Sequence, residues 1–140
     1  MSMKCLFAGA IILACAVAGT ARADEQYDQC IDKSDASNQA WDQCGKEWIK
    51  REDKRLNDTW SALMTALKPQ DDPASFAKTR SDLLQEQRGW IAFKDKACLF
   101  YANGDSGREG SVLGFPSCRA ALIAGRTKEL EGYLKDFQPK

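Results

Sequence analysis

Hydrophobic residues recur at helical spacing along most of this 140-residue chain. The clearest run is Leu84–Tyr101, and counting back by sevens from Ala97 reaches Trp90, Leu83 and Phe76. Polar residues fill the positions between, which is the pattern of a long amphipathic helix and is too long for a strand. Such a helix cannot bury its apolar stripe alone, so at least two others are expected to pack against it.

Two further runs share this periodicity. The first extends from about Gln39 to Leu67 along Trp41, Trp48/Ile49, Leu56, Trp60, Leu63 and Leu67, and its mixed-charge face, residues 50–55, is predicted to be solvated. The last extends from about Ser117 to Asp136, with an inward face made of Leu122/Ile123, Leu130, Leu134 and Phe137. One helical turn is expected within Asp24–Ser34.

Breaks separate these runs. Pro69 ends the first long helix, and Asp72 and Pro73 suit the start of a second that reaches about Tyr101, so the two are expected to lie antiparallel. Gly45 suggests a break inside the first helix. Asn103–Gly114 holds four of the ten glycines and is predicted to be an extended loop. The fold class that follows is all-α: three main helices plus a short N-terminal helical turn.

The N-terminus has the features of an export signal. Lys4 precedes the uncharged apolar run Leu6–Gly19, and Ala21-Arg22-Ala23 forms an A-x-A cleavage site. Residues 1–23 are therefore predicted to be a signal peptide cleaved after Ala23, with residues 24–140 forming one domain in the periplasm or outside the cell. The competing interpretation is a lipoprotein acylated at Cys15, which alone would place the protein at a membrane.

The full chain has 20 Lys and Arg residues and 20 Asp and Glu residues. Removal of the signal peptide takes away Lys4 and Arg22 and no acidic residue, which leaves 18 basic and 20 acidic residues. A net charge of −2 argues against a nucleic-acid-binding protein. Four cysteines would remain, and an even number in a small exported chain predicts two disulfides with three possible connectivities. The spacing favours the local pairs Cys30–Cys44 and Cys98–Cys118. Zinc is disfavoured because the chain has no histidine and no C-x-x-C pair.

Three groups of residues resemble the LprI-like lysozyme-inhibitor domain family of small exported bacterial proteins. They are Asp53-x-x-Leu56-Asn57-x-x-Trp60, then Gln87-Arg88-x-Trp90-Ile91-x-Phe93-Lys94-Asp95-x-x-Cys98, and finally Gly110-Ser111, Cys118 and Arg126-x-x-Glu129-Leu130. Two departures are visible: Trp60 replaces the more frequent Tyr, and Arg108-Glu109-Gly110-Ser111 replaces the usual Gly-Gly-Ser. The resemblance implies a disulfide-bonded, all-α, exported domain with lysozyme inhibition as its named activity.

Catalysis is poorly supported by the residues themselves. Without histidine there is no Ser-His-Asp or Cys-His arrangement and no ordinary metal site, and no cofactor is implied. The adjacent carboxylates Glu52/Asp53 and Asp71/Asp72 are better explained as solvated charge and helix capping than as acid–base pairs. The chain is predicted not to be an enzyme.

The polar residues of the family motifs form a candidate network: Asp53, Asn57, Gln87, Arg88, Lys94 and Asp95. Those on the second helix follow spacings that place part of the set on one face. We expect Asp53 or Asn57 to bond Arg88 or Lys94 between helices, in preference to a ligand site.

The candidate inhibitory loop is Asn103–Gly114, where Arg108 is flanked by Ser106 and Ser111. A lysozyme cleft holds two catalytic carboxyl groups, which a cation and hydrogen-bond donors on a clamped loop would suit. An ordinary helix connection is the competing interpretation of this segment. The function expected is an exported protein that occludes the cleft of a lysozyme-type muramidase. The alternative is a non-enzymatic envelope structural or stress protein that binds a periplasmic protein through a helix face.

Overall fold

A computed structural model describes residues 24–67 and 73–137, and within them the chain is helical with two disulfides and no strand. A first helix of nine residues, α1 (Glu25–Lys33), precedes three long helices, α2 (Asn38–Ala66), α3 (Pro73–Lys96) and α6 (Phe115–Asp136). Between α3 and α6 lie two short helices, α4 (Leu99–Ala102) and α5 (Gly107–Glu109), followed by a π-helical turn, Gly110–Gly114. The all-α prediction is confirmed. Residues 1–23, with Cys15 and the cleavage site, lie outside the described residues, as do Pro69 and Asp72.

A side-chain cap precedes each of the first two helices, α1 and α2. The Asp24 carboxylate accepts hydrogen bonds from the backbone N–H groups of Gln26 at 2.8 Å and Tyr27 at 3.2 Å. The Ser37 hydroxyl accepts from the backbone N–H of Ala40 at 3.1 Å. Each cap satisfies donors that have no partner in the first turn of a helix. Helix α1 consequently extends over nine residues, where the sequence predicted a single turn.

The main core lies where α2 and α6, the most closely packed pair of helices, face each other. Its buried members come from all three long helices: Leu56, Leu63, Leu67, Leu83, Ile123 and Leu130. Trp60 and Trp90 pack partly buried against this cluster. The predicted stripes of α2 and α6 are thereby largely confirmed. Phe137 is an exception, because it is exposed at the end of α6.

A second, smaller core joins α1 to the N-terminal half of α2 and to α6. It consists of Tyr27, Cys44, Trp48 and Ala120, and the rings of Tyr27 and Trp48 stack with centroids 4.5 Å apart. Helix α2 is continuous through Gly45, so the predicted break there is wrong. A Cβ atom at Gly45 would lie 2.5 Å from Pro116 Cγ, and this glycine therefore permits the close approach of α6.

Two expectations about charge and helix length also change. Glu52 is buried and pairs with Arg55, with 3.2 Å between Oε2 and Nη1, so the face at residues 50–55 is not wholly solvated. Helix α3 ends at Lys96 rather than near Tyr101. The reason is that Cys98 adopts a left-handed conformation with φ of 67°, which a continuing right-handed helix does not allow.

Candidate functional site

Both predicted disulfides form. Cys30 and Cys44 have Cα atoms 5.7 Å apart, and Cys98 and Cys118 have Cα atoms 5.9 Å apart. The second bridge joins the end of α3 to the first turn of α6 and closes everything between them into one covalent ring. We call residues 99–114, which lie inside this ring, the bridged segment.

The bridged segment is not the extended loop that its glycines suggested. It is a chain of short helical turns that runs directly into α6. Its one sharp turn is held by Asn103, whose side chain accepts a hydrogen bond from the Asp105 backbone N–H at 3.1 Å and donates to the Asp105 carboxylate at 2.9 Å. Gly104 and Gly107 have φ values of 84° and 76°, in the region that favours glycine. The glycines here specify a turn.

The other two glycines of the segment allow tight packing. A Cβ atom at Gly114 would lie 2.7 Å from Cδ1 of Tyr101, and one at Gly110 would lie 2.1 Å from the Ser106 hydroxyl. The π-helical turn therefore folds back over the Tyr101 ring and the Ser106 side chain. A larger residue at either position would push the turn away from α4. The segment is a folded element.

The three predicted inhibitory residues have different surroundings in this element. The Ser111 hydroxyl donates to the backbone carbonyls of Arg108 at 3.1 Å and Gly107 at 3.3 Å. The Ser106 hydroxyl lies 3.4 Å from the carbonyl oxygens of Phe100 and Tyr101. Both serine hydroxyls are thus directed to backbone carbonyl groups of the bridged segment itself. The Arg108 side chain is exposed, and within the described residues it forms no ion pair or hydrogen bond.

Two apolar side chains accompany Arg108 on the segment. Phe100 is 66% exposed and Leu99 is 52% exposed, although both are large. Phe100 contacts Tyr101 edge to face, with ring centroids 5.3 Å apart. The bridged segment therefore presents a cation and two exposed apolar side chains on one covalently closed element.

The motif polar residues do not form the predicted network. Asp53 is half-buried and Asn57 is exposed, and neither forms a side-chain hydrogen bond with another described residue. On α3, Arg88 is exposed and the Lys94 ammonium lies 5.7 Å from the centre of the Trp90 ring. The expected bonds from α2 to Arg88 or Lys94 are absent from the described part of the chain.

The network that does form is centred on Arg126, whose side chain is 2% exposed. Its Nε donates to Gln87 at 2.9 Å, and its Nη1 donates to Glu86 at 2.6 Å and to Glu129 at 2.7 Å. The Tyr133 hydroxyl adds a 3.1 Å bond to Glu129. Arg126 therefore ties α6 to α3, and Gln87 is the only member of the predicted set that takes part.

The ionisation of this network is set by its contacts. Burial alone would lower the pKa of Arg126, but the hydrogen bonds from its guanidinium to Glu129 and Glu86 outweigh burial and raise it. The hydrogen bond from Arg126 lowers the pKa of Glu129, with a smaller opposing effect of burial. Both groups stay charged near neutral pH, so the pair remains an ion pair. The sequence marked Arg126-x-x-Glu129 only as part of the family resemblance and did not predict Arg126 as the centre of a network, although this spacing is a sign of an i, i+3 pair.

A shallow groove of about 520 Å³ runs beside this network between α3 and α6. The groove is lined by Trp90 from α3 and by six residues of α6: Cys118, Ala121, Leu122, Gly125, Arg126 and Glu129. In the described part of the chain, no group of three or more Cys, Asp or Glu is arranged to hold a metal ion. The groove offers apolar surface and one ion pair.

Comparison with protein-family models gives a match to the family described as lysozyme inhibitor LprI, over residues 30–130. The chain belongs to this family. The LprI match includes the four disulfide-bonded cysteines, the bridged segment and Arg126. No curated protein and no solved structure matches the chain.

LprI membership implies a lysozyme inhibitor, and thus a protein partner such as lysozyme. An inhibitor family is also consistent with a non-enzyme and with a protein that acts outside the cytoplasm. In residues 24–67 and 73–137, no helix has both the length and the apolar character needed to cross a membrane.

Proposed function

We propose that this LprI-family protein inhibits a lysozyme-type muramidase by placing the bridged segment over the cleft of the enzyme. The observation that carries the proposal is Arg108, an exposed cation without a partner among the described residues, on an element closed by the Cys98–Cys118 disulfide. A muramidase cleft contains two carboxyl groups, at least one of which is ionised during catalysis. A guanidinium group can bind a carboxylate through two parallel hydrogen bonds.

The folded state of the segment supports this role because ordering a binding element costs free energy when it occurs on binding. Here the Asn103–Asp105 turn, the Ser111 bonds and the contact of Gly114 with Tyr101 form within the protein itself. We therefore assign different roles to the three predicted residues. Arg108 contacts the enzyme, while Ser106 and Ser111 hold the backbone that presents it.

The exposed residues Leu99 and Phe100 would supply apolar contact from the same bridged segment. Aromatic and arginine side chains commonly dominate the energetics of protein interfaces. In this arrangement Arg108 provides selectivity for an acidic cleft, and Phe100 provides most of the buried area.

The test is titration of the oxidised protein, purified from the periplasm of an expression host, into lysozymes of different classes. Cell-wall lysis and direct binding are measured together. We expect micromolar or tighter inhibition of one class, and we expect Arg108→Ala to weaken it at least about tenfold, equivalent to about 1.4 kcal/mol. Lys128→Ala is the matched control because it removes an exposed cation from α6. Full inhibition by Arg108→Ala would contradict the proposal that Arg108 contacts the enzyme.

The alternative function is a non-enzymatic envelope structural or stress protein that binds a periplasmic protein through a helix face. The observation that favours it is the concentration of exposed apolar residues on α3 and α4. Absence of binding to every lysozyme class in the same titration would leave this alternative as the better explanation.

Export is part of the proposal. We propose that residues 1–23 are removed after Ala23 and that the protein acts in the periplasm or outside the cell. Mass spectrometry of the purified protein tests this directly. A mass that starts at Asp24 is expected, whereas a lipid-modified mass that starts at Cys15 would replace the soluble protein with a membrane-anchored one.

A further inference from the structure

The outward side of α3 carries a stripe of four exposed residues. Leu84, Arg88, Ile91 and Asp95 follow one another at spacings of four, three and four, which place them on one side of an α-helix. Leu83, the one buried residue among the described side chains of α3, lies on the side that faces the core. Helix α3 therefore has a second face that nothing in the described part of the chain covers.

This stripe alternates apolar and charged positions. Ile91 is 43% exposed and Leu84 is exposed to a similar extent. Arg88 has no ion-pair partner among the described residues. Asp95 is 67% exposed and has one distant partner, Arg119, with 3.9 Å between Nη1 and Oδ1. Leu84 and Ile91 lie seven residues apart, as core positions do in helix–helix contacts, and a charged residue follows each of them by four positions, where charges set partner choice and orientation.

The charges on the stripe of one chain complement those on the same stripe of a second copy. Arg88 and Asp95 are seven residues apart, which corresponds to about 10 Å along the helix. If two α3 helices cross antiparallel beside Ile91, Arg88 of each copy meets Asp95 of the other. A parallel arrangement would instead bring Arg88 to Arg88 and Asp95 to Asp95, which is unfavourable. The charge pattern thus selects both the occupant and its direction.

We propose that a second copy of this chain binds the α3 stripe, forming a twofold-symmetric dimer with Ile91 at the axis and two Arg88–Asp95 pairs beside it. An isologous interface of this kind uses the same patch on both subunits. The dimer does not depend on muramidase inhibition, because Arg108 lies outside the stripe.

Sedimentation velocity of the oxidised protein over a wide concentration range provides the test. We expect a monomer–dimer equilibrium, and we expect Arg88→Asp or Asp95→Arg alone to raise the dimer dissociation constant at least about tenfold, since each opposes like charges. The double variant Arg88→Asp/Asp95→Arg restores the pairs in reversed order and should recover most of the wild-type affinity. Lys128→Asp is the control for a charge change of equal size elsewhere.

Cysteine crosslinking gives an independent measurement. An Ile91→Cys variant should form a covalent dimer on mild oxidation, because the two residues meet at the axis. Phe93→Cys should not, because residue 93 lies on nearly the opposite side of the helix. A protein that stays monomeric at every concentration would overturn the proposal. So would charge variants that dimerise with the wild-type dissociation constant. A wild-type protein that stays monomeric while the charge variants lose muramidase binding would assign the stripe to the target enzyme instead.

Discussion

The two disulfides differ in how deeply the residues around them are buried, although the regions that contain them are in contact. Around Cys30–Cys44 the surroundings are buried: Cys44 is 3% exposed, and the stacked Tyr27 and Trp48 rings fill the space between α1 and α2. Cys98 is instead followed directly by two exposed apolar residues, Leu99 and Phe100. The two regions meet where Gly45 contacts Pro116. One bridge reinforces a small core, and the other reinforces a surface.

If the bridged segment is the inhibitory element, the two disulfides stabilise the protein about equally but only Cys98–Cys118 contributes to binding. Loop-closure entropy depends on the length of the closed loop, and separations of 14 and 20 residues predict nearly equal effects. The contribution to binding depends instead on what the loop presents to a partner. Stability and inhibition measured on the same variants therefore separate the two roles.

The largest expected effect comes from removing each bridge in turn. Cys30→Ser/Cys44→Ser and Cys98→Ser/Cys118→Ser should each lower the free energy of unfolding by about 3 kcal/mol in denaturant titration. At a temperature where both variants remain folded, we expect inhibition to be kept by the first and weakened by the second. Equal loss of inhibition in both would contradict the distinction between them.

A substitution at the contact between the two regions should lower the free energy of unfolding almost as much. Gly45→Ala places a methyl group against the Pro116 ring and should destabilise the protein by about 2 kcal/mol, since overpacking outweighs the gain in helix propensity. Thermal unfolding of the purified variant measures this. A neutral or stabilising result would show that α6 can shift away from α2 at no cost.

A smaller, pH-dependent effect is expected at Asp24, which caps α1 and binds Arg51 with 3.0 Å between Oδ2 and Nε. Burial opposes ionisation, but the hydrogen bonds from Arg51, Gln26 and Tyr27 prevail and lower the pKa of Asp24. A depressed carboxyl pKa contributes stability above the unfolded value of about 3.9, and that stability is lost as pH falls through the folded pKa.

Asp24→Asn keeps a capping side chain and removes the charge, so it should cost about 0.5 to 1 kcal/mol at pH 7. The difference from wild type should shrink as the pH falls below about 4. Urea titrations at several pH values measure this difference. A gap that is constant across this range would mean that the charge of Asp24 contributes nothing.

An effect of similar size, and the only stabilising one, is expected on α3 away from both bridges. Gly89 is exposed within the helix, and a Cβ atom there would meet no other atom within 4 Å. Gly89→Ala should therefore raise the free energy of unfolding by about 0.5 to 1 kcal/mol and leave inhibition unchanged. Loss of stability would indicate that the backbone at Gly89 does not remain helical throughout the native ensemble.

Helical periodicity predicted most of the fold because every long helix buries one stripe against the same core. The spacing of Leu56 and Leu63 on α2, or of Ile123 and Leu130 on α6, survives whatever the neighbouring helix does. Local cysteine spacing likewise led to the correct disulfides. These are features that a sequence expresses within a few turns of one helix.

The bridged segment was mispredicted because glycine has two uses that composition does not distinguish. Gly104 and Gly107 supply the positive φ values of a turn, whereas Gly110 and Gly114 leave room for Ser106 and Tyr101 to pack against the backbone. The Arg126 network was missed for a related reason. Its bonds to Glu86 and Gln87 depend on how α3 is rotated against α6, which no local pattern specifies.

The order of the cysteines along the chain has a consequence for how the protein matures. Each bridge joins cysteines that are consecutive among the four, so neither pair encloses or interleaves with the other. If the chain is exported from its N-terminus, Cys30 and Cys44 reach the oxidising compartment together before Cys98 emerges. Oxidation in order of arrival then yields the native connectivity without thiol–disulfide reshuffling, which is the slow step in many disulfide-bonded proteins.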